Sequence, residues 1–381
     1  MADKREREPY TVWPAGSVIE EENDLVGRDE AIGDICNRLA GRSVILAAPR
    51  RVGKTCVARE VLRRLAADGY LTASIDFFRV TSKRAFAESL TRQLLEASTS
   101  LRSRMRRVGS AMRGMASGVK PYVQLAETEF GIQLARMDED EDRLFQQALE
   151  LPRQLSDREN RHVVIFMDEF QEADSNLGAN VYRIMRSYFQ EQRRVQQLFA
   201  GSRATLLRKL FTAPGAALLR YAVEVKLPWP SAPDWTAYIV RKYTEAGVAC
   251  SPGLAQSLVE VTAGHPADTM ELCQALHIAA IEAGTTDLSP DLLNVAAQHA
   301  EEALSAVFDE IWDDLGDTRY ARRIAQRIAQ DLPPYGSGLH SQSAGSAIDA
   351  LLDKGVVERR GRGQYRFPEP LFERYVRRMV E

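Results

Sequence analysis

Ala48-Pro49-Arg50-Arg51-Val52-Gly53-Lys54-Thr55 is the stretch from which the fold follows. Ahead of it, Ser43-Val44-Ile45-Leu46-Ala47 is an apolar, β-branched run of buried-strand type; behind it, Cys56 to Ala66 carries apolar residues at helical spacing. A tight turn between strand and helix that closes on Gly-Lys-Thr suits phosphate. Backbone N–H groups of Arg50 to Cys56, in the loop that Ala48 and Pro49 open, and the positive end of the helix face the anion. In such a loop Lys54 reaches the outer phosphate oxygens and the Thr55 hydroxyl ligates Mg²⁺. Ala48 stands where the strict pattern has glycine, which takes angles that alanine adopts only at a cost; we read it as tolerated. The bland alternative is a Gly-Lys-Thr that happens to open an ordinary helix.

A chain of 381 residues suggests two or three domains, and 45% hydrophobic content supplies sizeable cores. The net charge of −3 excludes whole-chain attraction to nucleic acid, so any such affinity must come from a local patch. The charged start lacks the apolar core of a secretory signal, and no apolar run approaches the ~18 residues of a membrane span. The cytoplasm is the expected compartment, with no membrane partner. Cys36, Cys56, Cys250 and Cys273 lack paired spacing. Cys273 and His277 share a helix face, a pair more often core packing than a metal site.

The second deciding stretch is Val163-Val164-Ile165-Phe166-Met167-Asp168-Glu169. A strand buried on both faces is continuously apolar, and it delivers its terminal polar residues to the carboxyl edge of a parallel sheet, where ligands bind. Asp168 is thereby placed to hold Mg²⁺ through a water, and Glu169 to orient or deprotonate the water that attacks the γ-phosphate. Tyr70 to Phe78, Gln197 to Arg203 and Tyr221 to Leu227 give further strands, alternating with helices as in an α/β sheet. Ser202 follows one of them and is placed to touch the γ-phosphate or the water. Arg203, Arg208 and Arg220 are candidates for an arginine finger toward a neighbouring subunit, each with an ordinary surface role as the alternative. Residues 98–142 read as an insertion, with a basic arm from Arg102 to Lys120, an acidic run from Asp138 to Asp142, and a hairpin or short strands at Tyr122 to Leu134.

Together these residues resemble the AAA+ and STAND class of P-loop ATPases, in particular the archaeal-ATPase type of archaea and bacteria. The landmarks are EPYTVWP (Glu8 to Pro14), LVGRDEAI (Leu25 to Ile32), APRRVGKT, VVIFMDEF (Val163 to Phe170), FAGSR (Phe199 to Arg203) and GHP (Gly264 to Pro266). The resemblance implies an adenine pocket with Val26, Gly27 and Arg28, a sensor at Ser202, and a lid contact from Pro266. The chain departs from the pattern at Ala48, and at Ala267, where many AAA+ proteins place a second sensor arginine. That departure favours a slow switch over a fast motor.

Beyond the sheet, Pro228-Trp229-Pro230 breaks the chain, helical periodicity runs from Trp235 to about Ala283, and Leu292 to Leu315 is an acidic helical segment expected to be solvated. A helix over Ser341 to Leu352 and a hairpin at Val356 to Phe367 read as a winged helix. Its wing carries Arg359, Arg360, Arg362 and Arg366, suited to phosphates, while Asp349 and Asp353 on the preceding helix argue against base reading.

The expected architecture is therefore an α/β P-loop NTPase sheet with a helical lid and a C-terminal winged helix. The divisions are an extension (1–22), an ATPase core (23–228), a lid (229–297) and a winged-helix domain (298–381). The expected activity is ATP hydrolysis with Mg²⁺, using Glu169, Lys54 and Ser202, in a switch that controls a protein partner and is open to nucleotide-dependent homo-oligomerisation. Two alternatives stay open: an ATP-gated binding module without significant hydrolysis, and a DNA-binding regulator or initiator.

Overall fold

A computed structural model describes residues 12–16, 22–98, 126, 130, 140–335 and 340–379. They fall into two compact units, one within 30–48 and 57–227, the other within 1–29, 49–56 and 228–381. The insertion's basic arm, Asp138 and Glu139 of its acidic run, and the hairpin expected at Tyr122 to Leu134 lie outside the described residues apart from Ala126 and Phe130.

The first unit holds a five-stranded sheet of order β2-β3-β4-β1-β5. Its strands are β1 (Val44–Ala47), β2 (Leu71–Asp76), β3 (Val163–Asp168), β4 (Val195–Gly201) and β5 (Val223–Glu224), all paired parallel. β1, β3 and β4 are buried at every residue, Gln196 and Gln197 of β4 included, whereas β2 at one edge alternates buried and half-buried. β5 is shorter than the Tyr221 to Leu227 run suggests. Leu218 to Tyr221 instead form a turn with Arg220 in the left-handed region at φ 58°, and the Tyr221 hydroxyl bonds Gln197 Oε1 at 2.5 Å.

The helices in chain order are α1 (Asp29–Leu39), α2 (Lys54–Ala67), α3 (Lys83–Ala97), α4 (Glu141–Glu159), α5 (Ala173–Leu177), α6 (Val181–Glu191) and α7 (Ala204–Thr212). Ser82 caps α3 by accepting from the Ala85 N–H at 3.1 Å. Phe77, Phe86, Phe145, Phe170 and Phe199 fill the core of this unit. Because β4 lies between β3 and β1, with Ala47 opposite Gly201, the ends of all three strands share the carboxyl edge.

The second unit contains α8 (Ala232–Glu245), α9 (Pro252–Val261), α10 (Pro266–Glu282), α11 (Pro290–Ala303), α12 (Ser305–Asp314), α13 (Ala321–Ala329), α14 (Ser341–Asp353), the hairpin β6 (Glu358–Gly361) and β7 (Gln364–Arg366), and α15 (Pro370–Arg378). Four of these helices start from one chemical recipe. Ser231, Ser251, His265 and Ser289 cap through their side chains, with proline in the first two helical positions, where no N–H is needed. Trp13 packs on Tyr243 and Tyr238 with ring centroids 4.8 and 5.9 Å away, and buried Asp24 accepts from Lys242 at 2.7 Å and from the Tyr238 hydroxyl at 3.0 Å.

The acidic segment is exposed at Glu302, Asp309, Glu310, Asp313 and Asp314, as its charges suggest, and departs from a solvated helix at Glu301. It forms two helices, and Glu301, only 3% exposed, accepts from Arg374 at 2.6 Å and Arg378 at 2.8 Å. Asp313 pairs with Arg322 and Asp314 with Lys354, 2.8 and 2.7 Å away, and Asp309 accepts from the Tyr375 hydroxyl. These acids serve the basic C-terminal helices. Helix, helix and antiparallel hairpin, turned at Gly363 with φ 74°, give the order expected of a winged helix.

Candidate functional site

Between β1 and α2 the loop turns through two left-handed residues, Arg51 at φ 62° and Gly53 at φ 86°. A Cβ on Gly53 would meet nothing within 4 Å, so its glycine answers a backbone requirement and leaves one side of the loop open. Lys54, the first residue of α2, is buried and spans the loop, its Nζ donating to the Pro49 carbonyl at 2.5 Å. Arg50 is exposed, Thr55 half-buried, and Val52, Cys56 and Ala48 buried.

The residues grouped by resemblance into an adenine pocket have definite places. Val26 is in the hydrophobic core of the second unit. Gly27 turns at φ 62° so close to Pro230 and Asp234 that a Cβ would lie 3.0 Å from Asp234 Oδ2. Arg28, 3% exposed, directs Nη2 to the Val52 carbonyl at 2.9 Å and Nη1 to the Pro228 carbonyl. Burial lowers this guanidinium to about 10, with the Cys56 thiol acting in the opposite sense, so it stays charged at neutral pH. Pro266 opens α10 behind the buried cap His265, whose Nδ1 lies 3.0 Å from Asp268 Oδ1. Arg51 pairs with Glu369, the N-cap residue of α15, at 3.3 Å. Burial, then the neighbouring Asp268, raise the Glu369 carboxyl; Arg51 pulls it back.

At the carboxyl edge of the sheet, Asp168 ends β3 and its Oδ1 accepts from the Glu169 N–H at 3.1 Å. Glu169 is left-handed at φ 50°, a strained setting for this residue. One of its oxygens, Oε2, takes three donors: the Ser202 N–H at 3.0 Å, the Ser202 hydroxyl at 2.8 Å and Gln171 Nε2 at 2.6 Å. The fold thus unites Glu169 with Ser202, as their strand-end positions suggested. Gln171 escaped the sequence reading; its one signal is Gly201, where a Cβ would lie 2.0 Å from Gln171 Oε1.

Two of the arginine-finger candidates, Arg203 and Arg208, are engaged within the chain, and Arg220 is exposed. Arg208 donates to Glu224 at 2.8 Å and to the Ala47 carbonyl at 3.0 Å, Arg203 reaches Glu172 at 3.5 Å, and Arg220 forms the turn before β5. In the wing, Arg366 pairs with Glu358 and lies over Trp229, and Arg359 lies over Tyr365. Arg360 and Arg362 are exposed.

Lys54 and the loop's backbone N–H groups are donors of the kind that phosphate takes, and the Thr55 hydroxyl and the Asp168 carboxylate are each a hard oxygen of the kind that Mg²⁺ takes. Burial raises the Cys273 thiol well above its usual value and lowers His277. None of the described helices is long and apolar enough to cross a membrane.

The AAA ATPase domain family matches residues 24–195. No protein of curated function matches the sequence. Among solved structures, the Walker-type ATPase PABY2304 of Pyrococcus abyssi is similar over 97% of this chain and 100% of its own, at 13% identity and a TM-score of 0.68. The ORC2 protein of Aeropyrum pernix, in ADPNP–ADP complexes, is similar over 93% and 95%, at 14% identity and a TM-score of 0.57. The ORC1 protein of the same organism, in complex with DNA, is similar over 97% and 96%, at 14% identity and a TM-score of 0.50. Residues 24–195 therefore match the AAA ATPase domain family, and the chain as a whole shares the fold of the archaeal Walker-type ATPase and ORC structures.

Proposed function

We propose that this chain binds and hydrolyses ATP as a slow nucleotide-dependent switch for a protein partner. Its working divisions are an ATPase core (23–228), a lid (229–297) and a winged-helix domain (298–381). The observation that carries hydrolysis is the fixed Glu169 carboxylate. Three donors converge on Oε2 and fix the orientation of the carboxylate, whose Oε1 would take the proton of a water. Ser202 and Gln171 hold the base in place.

The open side of the loop, Lys54 and the N-terminus of α2 would receive the phosphates, and Thr55 and Asp168 would hold Mg²⁺. When bound, Mg²⁺ supplies neutralisation of phosphate charge. Support for a switch comes from Arg51. A loop residue placed to meet phosphate is paired with Glu369 of the last helix, so phosphate and the C-terminal residues compete for one guanidinium.

Glu169→Gln should bind MgATP about as well as the wild type, while single-turnover hydrolysis falls ~10²-fold or more. Wild-type turnover by this variant would mean that the water is activated elsewhere. The DNA reading has one specific support, the likeness to an ORC1 protein solved with DNA. On that reading Arg360 and Arg362 are the wing residues left to meet phosphates, and a nucleotide-dependent homo-oligomer would be the assembly.

A further inference from the structure

Arg28 is a cation 3% exposed, met by carbonyl oxygens from segments far apart in the chain, Val52 in the phosphate loop and Pro228 after the sheet. No carboxylate pairs with it among the described residues. Burying an unpaired guanidinium is unfavourable, so its place beside the loop calls for a reason. Orientation supplies one. A trans peptide is planar, and its C=O and N–H point to opposite sides. The Val52 carbonyl and the Gly53 N–H belong to the same peptide unit. Holding the carbonyl at 2.9 Å therefore turns the Gly53 N–H away from Arg28. Gly53, left-handed at φ 86° with open space at its Cβ position, completes that turn. Charge supplies a second reason, because an anion in the loop would find an uncompensated positive group behind it. Gly27 makes the reach achievable, since its left-handed backbone against Pro230 and Asp234 aims the following residue at the loop.

We infer that Arg28 is a positioning residue for the phosphate loop, holding the Val52–Gly53 peptide so that its N–H is presented to a bound polyphosphate. This rests on the nucleotide-binding reading of the loop and departs from an adenine contact for the Arg28 side chain. The ligand chemistry it serves is the triphosphate, irrespective of base.

The test measures, for the full chain, dissociation constants of MgATP and of magnesium tripolyphosphate, the latter by displacement of a fluorescent ATP analogue. The variants are Arg28→Gln and Arg28→Lys, with circular dichroism and melting as folding controls. Both probes should weaken by the same factor, about 10- to 100-fold, in Arg28→Gln. Arg28→Lys keeps the charge but lacks the fixed fork whose two nitrogens each meet one carbonyl, so it should recover only part of the loss. It carries the test alone if the glutamine variant does not fold. Loss of ATP affinity with tripolyphosphate unchanged would assign Arg28 to the nucleoside and overturn the inference, as would no loss of either. A wild-type chain that binds neither probe would instead remove the phosphate-loop reading itself.

Discussion

Replacing Glu369 by glutamine should tighten nucleotide binding, although Glu369 lies 318 residues along the chain from the loop arginine it pairs with. The Arg51 and Glu369 side chains are 27% and 10% exposed and 3.3 Å apart, a partly screened charge pair. Such a pair contributes ~1–2 kcal/mol. If phosphate recruits Arg51, that amount is lost on binding in the wild type. The glutamine variant has little to lose, so its affinity for ATP should rise by ~5- to 30-fold. By linkage, nucleotide should loosen the attachment of α15 by the same factor. Isothermal titration of wild type, Glu369→Gln, Arg51→Ala and the double variant measures this, and once Arg51 is gone the Glu369 change should have no further effect. Stability gives an independent sign. Because burial and Asp268 raise the Glu369 carboxyl, its contribution to folding is present below the ordinary glutamate value of ~4.3 and lost as pH rises through the raised value. The always neutral glutamine should thus melt at or above the wild type at neutral pH, with the gap closing in acid. Unchanged or weaker ATP affinity in Glu369→Gln would refute the competition.

Lys54→Ala should abolish ATP binding in titration while leaving the melting temperature near that of the wild type, since Lys54 acts on phosphate charge and the Pro49 carbonyl that it meets belongs to the loop itself. Asp24→Ala should destabilise by ~3–5 kcal/mol in urea unfolding, because it strands the buried Lys242 ammonium; a loss under 1 kcal/mol, a value on the order of an exposed pair, would show that water reaches the site. Replacing Arg359, Arg360, Arg362 and Arg366 together by alanine should flatten the salt dependence of duplex binding by ~1.8 log units, the share of two phosphate contacts, because Arg359 lies over Tyr365 and Arg366 pairs with Glu358. A change of ~3.6 would show that all four arginines leave their partners for DNA.

The features legible in the sequence are those set by neighbours along the chain. An apolar run ending in Asp168-Glu169 had to be a buried strand with its carboxylates at the sheet edge, and β3 is buried at all six of its residues. The turn between β1 and α2 followed from Gly53-Lys54-Thr55 at a helix start. What stayed hidden depends on pairs remote in sequence. Arg28 meets carbonyls 24 and 200 residues away, and Glu301 meets Arg374 73 residues away, so its helix looks solvated when read alone. Gln171 sits only two residues from Glu169, yet the glutamine that braces a base and one that faces solvent have the same local sequence. The gap at Gly201 distinguishes them, and that requires β4 to be placed beside β3.

Ala267 deprives the start of α10 of an arginine that many AAA+ lids use to report the state of the nucleotide. The loop's own contacts offer another route. Residues 49–56 share a compact unit with 228–381, while Ala48 before them and Val57 after them belong to the sheet's unit. Two of the loop's tethers are charged, Arg28 on the Val52 carbonyl and Arg51 on Glu369, and they differ in what phosphate would do to them. Arg28 holds a carbonyl, which phosphate has no cause to displace, so this tether should persist and keep the cradle in shape. Arg51 holds a carboxylate, which phosphate can replace as an anion of greater charge. One arginine is therefore suited to building the cradle and the other to signalling its occupancy, and the signal would arrive at Glu369, the N-cap of the helix whose other face is held by Glu301 and Asp309. A switch wired in this way needs no arginine at position 267, and its sensitivity is bounded by the strength of one partly exposed ion pair.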